Sequence, residues 1–186
     1  YCREDGQFNI VIMQTKDKGE NWTRLATIPS AEGYHFQEPT LYRTDKGKLI
    51  LFTRSLGKQG DPVSGHKPSP LFTIESTDEG RTWSLPVQRR YESPSPFHLL
   101  RLNSGHVLMT YGFRFEPYGI RAVLLDPECR NVDSAEEIVI RNDGLGFDIG
   151  YTSSVQLSDG RILITYYYYN AEDKKRYIAG TLCVVE

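Results

Sequence analysis

The sequence predicts an all-β fold made of repeated four-stranded antiparallel units, as in a β-propeller. Two repeated patterns support this prediction. The first is Ser-x-Asp-x-Gly-x-x-Trp, found at Ser76–Trp83 and, with threonine in first place, at Thr15–Trp22, 61 residues earlier. The second is a pair of strand-like runs around a glycine turn. It occurs three times, with turn glycines Gly47, Gly105 and Gly160 spaced 58 and 55 residues apart. Repeats of this length are typical of propeller blades.

The octapeptide has the chemistry of a tight turn between two strands. Asp78 can accept hydrogen bonds from backbone N–H groups, and Gly80 can adopt a positive φ. Trp83 can then fold back over the hairpin. We therefore predict a structural role for the residues of both copies, which are Ser76, Asp78, Gly80 and Trp83 in one and Asp17, Gly19 and Trp22 in the other.

Taken in order, the chain predicts thirteen strands in four units. A blade fragment at 1–30 contains Phe8–Gln14 and Trp22–Ile28, the last two strands of a blade. A complete blade at 36–90 contains four strands, namely Pro39–Thr44, Lys48–Arg54, Leu71–Glu75 and Ser84–Gln88. A second complete blade spans 94–141 and includes a degenerate box at Leu125–Val132.

The last unit is a partial blade at 150–185, with strands at Thr152–Leu157, Arg161–Tyr168 and Tyr177–Val184. The chain thus holds three to four blades, whereas propellers have four to eight. We expect it to be part of a larger propeller, its C-terminal half, with the remaining blades supplied by further sequence or by a partner chain.

Composition narrows the function classes. The 186 residues carry a net charge of −2 with both signs interspersed, which predicts neither nucleic-acid binding nor membrane binding. The three cysteines, Cys2, Cys129 and Cys183, are too few and too scattered for a disulfide framework or a zinc site. No cofactor and no metal site is indicated.

Meander topology predicts where a site would lie. The start of the first strand, the end of the second and the start of the third share one face of each blade, opposite the boxes. These positions hold four candidate residues: Glu38, Arg54, Arg121 and Tyr151. Arg3 and His66 lie in segments expected at the same face. Two arginines that converge on one spot favour a carboxylate, because a planar guanidinium can bind it in a bidentate manner.

These segments resemble the sialidase (neuraminidase) superfamily, whose propellers have six blades and Asp-boxes like the two described above. Gly150–Arg161 looks like the segment that carries the nucleophilic tyrosine, with Tyr151 eight residues before Asp159 and Thr152 in place of the usual serine. Glu38 to Arg54 resembles the segment in which a glutamate pairs with that tyrosine and an arginine follows. Gly119–Leu124 resembles the segment that supplies the last triad arginine, here Arg121.

The resemblance implies a retaining exo-glycoside hydrolase that acts on terminal sialic acid or a related acidic sugar. Tyr151 would be the nucleophile, Glu38 its base, and Arg54 and Arg121 the clamp for the substrate carboxylate. Arg3, His66 and Tyr167 are further candidates for substrate contacts. The first triad arginine and the acid/base aspartate are not identifiable, so we expect no turnover of sialosides by this chain alone. A secreted or periplasmic location is expected for the full-length protein.

Two other function classes fit the same residues. One is a non-catalytic glycan-binding propeller, which would use the arginines and tyrosines without turnover. The other is a hydrolase or lyase for another acidic polysaccharide. Each candidate also has an ordinary structural reading, since Glu38 and Arg54 can simply pair with each other and Tyr151 can be a strand aromatic.

Overall fold

The computed structural model describes residues 2–4, 7–31, 33–58, 69–92, 95–172 and 174–185. The predicted all-β class is confirmed: the described residues form fourteen strands and no helix. No helix long and apolar enough to cross a membrane is therefore found in the described part of the chain. The strands are β1 (Cys2–Glu4), β2 (Gln7–Gln14), β3 (Thr23–Ile28), β4 (Tyr34–Arg43), β5 (Leu49–Lys58), β6 (Pro70–Ser76), β7 (Val87–Glu92), β8 (Phe97–Arg101), β9 (Val107–Phe113), β10 (Gly119–Leu125), β11 (Glu137–Arg141), β12 (Gly150–Gln156), β13 (Ile162–Tyr168) and β14 (Tyr177–Cys183).

The strands form four antiparallel sheets, each a simple meander. The sheets are β1-β2-β3, β4-β5-β6-β7, β8-β9-β10-β11 and β12-β13-β14. The predicted count of thirteen strands leaves out β1, which pairs with β2 through Arg3 and Phe8. It also began β4 at Pro39 instead of Tyr34. Pro39 lies within a β-bulge, where the N–H that proline lacks is not needed for the ladder.

Neighbouring sheets pack face to face in chain order, with contacts from β2 to β4, from β4 to β8 and from β8 to β12. Three apolar clusters fill the gaps between them. Ile10 and Phe36 belong to the first cluster, Phe52 and Tyr111 to the second, and Ile162 to the third. Burying such a side chain fully contributes about 1.5–3 kcal/mol, so these clusters hold the sheets together.

Central strands are buried on both faces, which explains their sequence. In β9, Met109 and Tyr111 pack toward the second sheet, whereas Leu108 packs toward the fourth. Alternate side chains of a strand point to opposite faces, so a strand between two sheets needs apolar residues at nearly every position. Outer strands such as β11 have exposed faces instead.

The Asp-box turns join the last two strands of their sheets. Asp78 accepts hydrogen bonds from the backbone N–H groups of Arg81 and Thr82 at 3.1 and 2.9 Å. Ser76 Oγ accepts the Gly80 N–H at 2.9 Å, and the Trp83 indole donates to the Gly80 carbonyl at 2.9 Å. Gly80 has φ +81°, a conformation in which a side chain would be strained.

The other boxes have closely related contacts. Asp17 accepts the Asn21 N–H at 2.9 Å, and the Trp22 indole donates to the Gly19 carbonyl at 3.0 Å. The degenerate box is similar, because Asp126 accepts the backbone N–H groups of Arg130 and Asn131. The repeated turn therefore joins the last two strands of three successive sheets.

Acid should weaken the boxes, and Asp78→Asn tests this. The hydrogen bond from the Thr82 backbone, the largest cause, holds the pKa of Asp78 at about 2, below the unfolded value of about 3.9. The stability that this carboxylate supplies is present above pH 4 and is lost as the pH falls toward 2. Urea unfolding at pH 7, 4 and 3 should show Asp78→Asn less stable at pH 7 and less sensitive to acid than the unsubstituted chain.

The control for this experiment is Glu20→Gln, which removes an exposed carboxylate from the other box turn. It should leave both the unfolding midpoint at pH 7 and its pH dependence nearly unchanged. Equal acid sensitivity in Asp78→Asn and the unsubstituted chain would contradict the assignment.

Candidate functional site

Two matching β-bulges form the base of the site. The pairing of β4 with β5 shifts register between Gln37 and Thr40, and that of β12 with β13 shifts between Gly150 and Ser153. Each bulge begins with a paired residue, Gln37 opposite Arg54 in one and Gly150 opposite Tyr167 in the other. Bulges turn a side chain away from the direction that a regular strand would give it, and they are common next to active sites.

The residues that follow these paired positions are Glu38 and Tyr151. Their φ angles are +47° and +49°, in the left-handed region that residues with a Cβ adopt only at a cost. Strain of this kind costs about 1–3 kcal/mol and is found preferentially at functional sites. The same backbone device thus presents a carboxylate on one sheet and a phenol on another.

The structure brings these two side chains into direct contact. The Tyr151 hydroxyl donates a hydrogen bond to Glu38 Oε1 at 2.5 Å, across 113 residues of sequence. Tyr151 is 49% exposed, so its oxygen lies at a surface that solvent and ligands can reach. Partial burial and the bond to Glu38 raise the pKa of Tyr151, while nearby Arg54 and Arg114 oppose the shift. The phenol is therefore protonated at neutral pH.

Arg54 completes one side of the pair. Its Nε lies 2.8 Å from Glu38 Oε2, and its Nη2 donates to Gln37 Oε1 at 2.7 Å. The Arg54 side chain is buried, which lowers its pKa, while the charge of Glu38 opposes that shift. Glu38 consequently has one oxygen toward an arginine and the other toward the phenol.

Arg114, which the sequence analysis missed, lies on the other side of Tyr151. Its guanidinium carbon is 5.5 Å from the centre of the Tyr151 ring. Its Nε donates to the Ile149 carbonyl at 2.9 Å, and its Nη2 donates to the Tyr167 hydroxyl at 2.8 Å. Arg114 directly follows β9, the second strand of its sheet, so its place in the meander was the available signal.

Tyr167 and Asp148 hold Arg114 in this position. The Tyr167 hydroxyl donates to Asp148 Oδ1 at 2.6 Å, and Arg176 Nη2 lies 2.7 Å from Asp148 Oδ2. The bond from Tyr167, followed by the charges of both arginines, lowers the pKa of Asp148. Burial and the bond to Asp148 raise the pKa of Tyr167. The predicted candidate Tyr167 therefore lies in the cluster, with its ring centre 5.8 Å from that of Tyr151.

Arg121, expected beside Tyr151, is directed into its own sheet instead. Its Nη1 donates to the Arg141 carbonyl at 2.7 Å, its Nε lies 3.3 Å from Glu137 Oε1, and its guanidinium stacks on Phe113 at 4.6 Å. The side chain is almost fully buried. The acceptors and the aromatic face next to the start of β10 account for this direction, and Arg114 takes the expected place beside Tyr151.

Two other candidates cannot be placed in the site. Arg3 belongs to β1, but its side chain is outside the described part of the chain. His66 lies within 59–68, which is also outside the described residues.

A glycine makes room for the Tyr151 bulge. The glycine is at a position that is equivalent in three sheets, seven residues after the turn glycine. The other two sheets have Arg54 and Tyr167 at this position, and the third sheet has Gly112. A Cβ on Gly112 would lie 2.7 Å from Gly150 Cα and 2.9 Å from the Ile149 carbonyl oxygen. Both distances are far inside van der Waals contact and involve backbone atoms. The absence of a side chain at 112 therefore lets the next sheet approach with Tyr151 at its edge.

Comparison with known proteins supports the fold. The chain matches no protein-family model, and no curated protein matches it in sequence. A solved protein of unknown function from Dyadobacter fermentans has a TM-score of 0.81 and 33% identity over 94% of this chain and 45% of its own. An α-L-arabinanase from Penicillium chrysogenum has a TM-score of 0.67 and 17% identity over 96% of this chain and 55% of its own.

A third similar structure is the Hadza microbial sialidase Hz136, with a TM-score of 0.62 and 13% identity over 95% of this chain and 40% of its own. The chain thus spans about half the length of these proteins. At such identities the two enzymes show a shared fold alone. The chain accordingly has a fold like that of propeller glycoside hydrolases.

Gly112→Ala tests how the site is supported. The added methyl group must displace the backbone at Ile149 and Gly150, and overpacking of this kind costs about 1–3 kcal/mol. Urea unfolding should show this loss. The matched control is Gly180→Ala in β14, where the added Cβ would lie 3.3 Å from the flexible Leu163 side chain and at an ordinary contact distance, 3.8 Å, from the Ile164 carbonyl oxygen. Equal unfolding midpoints for the two variants would contradict the close approach at Gly112.

Proposed function

We propose that this chain carries the nucleophile and its base for a retaining, sialidase-like exo-glycoside hydrolase that acts on terminal sialic acid or a related acidic sugar. The observation that carries the proposal is the 2.5 Å hydrogen bond from the Tyr151 hydroxyl to Glu38, made by two strained residues on separate sheets. Tyrosine nucleophiles are a known exception to the two-carboxylate scheme of glycoside hydrolysis.

Charge explains why a tyrosine suits this substrate class. A sialic acid has a carboxylate on its anomeric carbon, and this group would repel a carboxylate nucleophile. A neutral phenol avoids that repulsion, and a nearby carboxylate can remove its proton as it attacks. The pKa of Tyr151 is raised, so the phenol stays neutral until the reaction draws its proton onto Glu38.

The first chemical step forms a glycosyl-enzyme bond. The Tyr151 oxygen attacks the anomeric carbon, the bond to the leaving oxygen breaks, and the phenolic proton passes to Glu38 Oε1. The leaving oxygen takes a proton from a general acid, which we assign to no described residue. Water then attacks the same carbon and gives its proton to the general acid, which the first step left deprotonated. The bond to the Tyr151 oxygen breaks, and Glu38 returns the phenolic proton to that oxygen. Two displacements at one carbon retain its configuration.

Arg54 and Arg114 supply the positive charge for the substrate carboxylate. Arg114 takes the place that the resemblance gave to Arg121, because Arg114 lies beside the Tyr151 ring. Its Nε and Nη2 are held by protein acceptors, which fixes the guanidinium plane. Among the described residues, no hydrogen-bond acceptor engages its Nη1, which leaves this group to donate to a ligand carboxylate.

Covalent trapping tests the nucleophile without a general acid. The reagent is a sialic acid fluorinated at the anomeric carbon and at the carbon next to it. Fluoride leaves without protonation, and the second fluorine slows hydrolysis of the adduct. We expect the mass of the chain to rise by one fluorosialosyl group, located on Tyr151 by peptide mass spectrometry. Tyr151→Phe should form no adduct, because the attacking oxygen is gone.

Glu38→Gln tests the base. Glutamine can still accept the tyrosine hydrogen bond but cannot take its proton, so trapping should slow by about 10²–10⁴-fold. The matched control is Tyr111→Phe. Tyr111 also donates to a glutamate, Glu137, which is paired with Arg121, but Tyr111 is fully buried. This control should trap at the unsubstituted rate while losing about 1 kcal/mol of stability.

Other outcomes would favour the other function classes. Saturable binding of the fluorosugar without an adduct would contradict the nucleophile and favour a glycan-binding propeller. An adduct from a uronic acid fluoride alone would point to another acidic polysaccharide. An adduct on a residue other than Tyr151 would overturn the assignment.

A further inference from the structure

A pocket of about 530 Å³ opens beside the proposed catalytic cluster, and the roles assigned above make no use of it. Two loops form its walls. The β9–β10 loop contributes Glu116, Pro117 and Tyr118, and the β11–β12 loop contributes Asn142, Gly144 and Leu145. The β9–β10 loop follows the second strand of the third sheet, and the β11–β12 loop precedes the first strand of the fourth sheet. Both of these strand ends belong to the face where Tyr151 lies. The pocket therefore lies on the same face as Tyr151.

Both loops also run into the catalytic cluster. The β9–β10 loop starts at Arg114, two residues before Glu116, and the β11–β12 loop ends with Asp148, three residues after Leu145. A chain advances at most about 3.6 Å per residue, so these pairs are within about 7 and 11 Å of each other. The pocket walls therefore adjoin Arg114, which lies over the Tyr151 ring, and Asp148, which accepts the Tyr167 hydroxyl.

Backbone contacts hold the pocket wall in place. The Gly144 N–H donates to the Tyr118 carbonyl at 3.0 Å, and the Leu145 N–H donates to the Tyr169 carbonyl at 3.1 Å. A Cβ on Gly144 would lie 2.9 Å from Tyr118 Cβ, and one on Gly146 would lie 2.4 Å from the Tyr169 hydroxyl. The loop is thus packed against Tyr118 too closely for a side chain at Gly144, and this contact fixes the pocket wall.

The lining differs in charge from the cluster next to it. Among the six described residues that line the pocket, none is positively charged and one, Glu116, is negative. Asn142 and Glu116 are exposed and offer amide and carboxylate groups to hydroxyls, while Pro117, Tyr118 and Leu145 offer apolar surface. Pockets of this kind combine apolar walls with a few orienting polar groups. Glu116 would repel a second acidic sugar, so the chemistry fits a neutral one.

We infer that this pocket binds the neutral sugar on the leaving-group side of the bond that is cut. The inference rests on the proposed function, since it assigns the two ends of one substrate to adjacent sites. The acidic end lies at Arg54 and Arg114, and the neutral end lies between Glu116 and Asn142. The pocket thereby selects substrates by the neutral sugar to which the acidic sugar is attached. This selection is independent of the chemistry at Tyr151.

Binding of lactose, a neutral disaccharide, tests the pocket directly. Titration followed by NMR should show saturable millimolar binding to the unsubstituted chain and to Tyr151→Phe. Glu116→Ala and Asn142→Ala should each weaken this binding at least about tenfold, the size expected when a good hydrogen bond is lost. The matched control is Glu136→Ala, which removes an exposed carboxylate near the start of β11 and should change nothing. No saturation, or equal affinity in Glu116→Ala and Glu136→Ala, would overturn the inference.

Two further measurements separate the pocket from the proposed function. The fluorosugar has no leaving sugar, so Glu116→Ala should be trapped on Tyr151 at the unsubstituted rate. Trapping that fails in every variant, with lactose binding still dependent on Glu116, would reject the nucleophile and leave a neutral-sugar site. A trisaccharide of sialic acid on lactose should bind Tyr151→Phe more tightly than lactose does. Equal affinities would show that the two sites do not share one ligand and would overturn the leaving-group assignment.

Discussion

Two glycines on neighbouring sheets, Gly112 and Gly150, approach so closely that a Cβ on either would lie within 3 Å of the other's Cα. This approach brings the first strand of the fourth sheet against the second strand of the third. The bulge after Gly150 then has space to project Tyr151 toward Glu38, two sheets away along the chain. Without that spacing, the 2.5 Å contact between phenol and carboxylate could not form. The chemistry therefore depends on a backbone contact that contains no functional group.

The described residues include two groups of tyrosine, glutamate and arginine with similar contacts but different surroundings. In one, Tyr111 donates to Glu137, which pairs with Arg121, all within a single sheet. In the other, Tyr151 on the fourth sheet donates to Glu38 on the second sheet, and Glu38 pairs with Arg54 on that second sheet. Tyr111 is wholly buried, whereas Tyr151 is half exposed. The first group satisfies its own polar atoms inside the protein, and the second has its phenol at the surface.

Much of the architecture could be predicted because it repeats. The boxes and the glycine turns mark the ends of strands, and their spacing marks the sheets. Glu38, Arg54 and Tyr151 were selected from the meander, which gathers their positions on one face, and the resemblance then supplied their expected roles. Arg114 escaped notice because it stands nine residues after its turn glycine, whereas Arg54 stands seven residues after its own, so the two arginines do not align in the repeat. The inward turn of Arg121 depends on Glu137 and the Arg141 carbonyl, and such packing cannot be derived from spacing alone.

The left-handed backbone at Tyr151 has a consequence for how the sequence can drift. The side chain is half exposed and adds little packing, while its φ of +49° works against the fold. Glycine or asparagine would relieve that strain, which is worth about 1–3 kcal/mol. Mutation without selection would therefore tend to replace the tyrosine and give a protein with a more stable folded state. A tyrosine here persists only where selection for its hydroxyl outweighs the thermodynamic advantage of losing it.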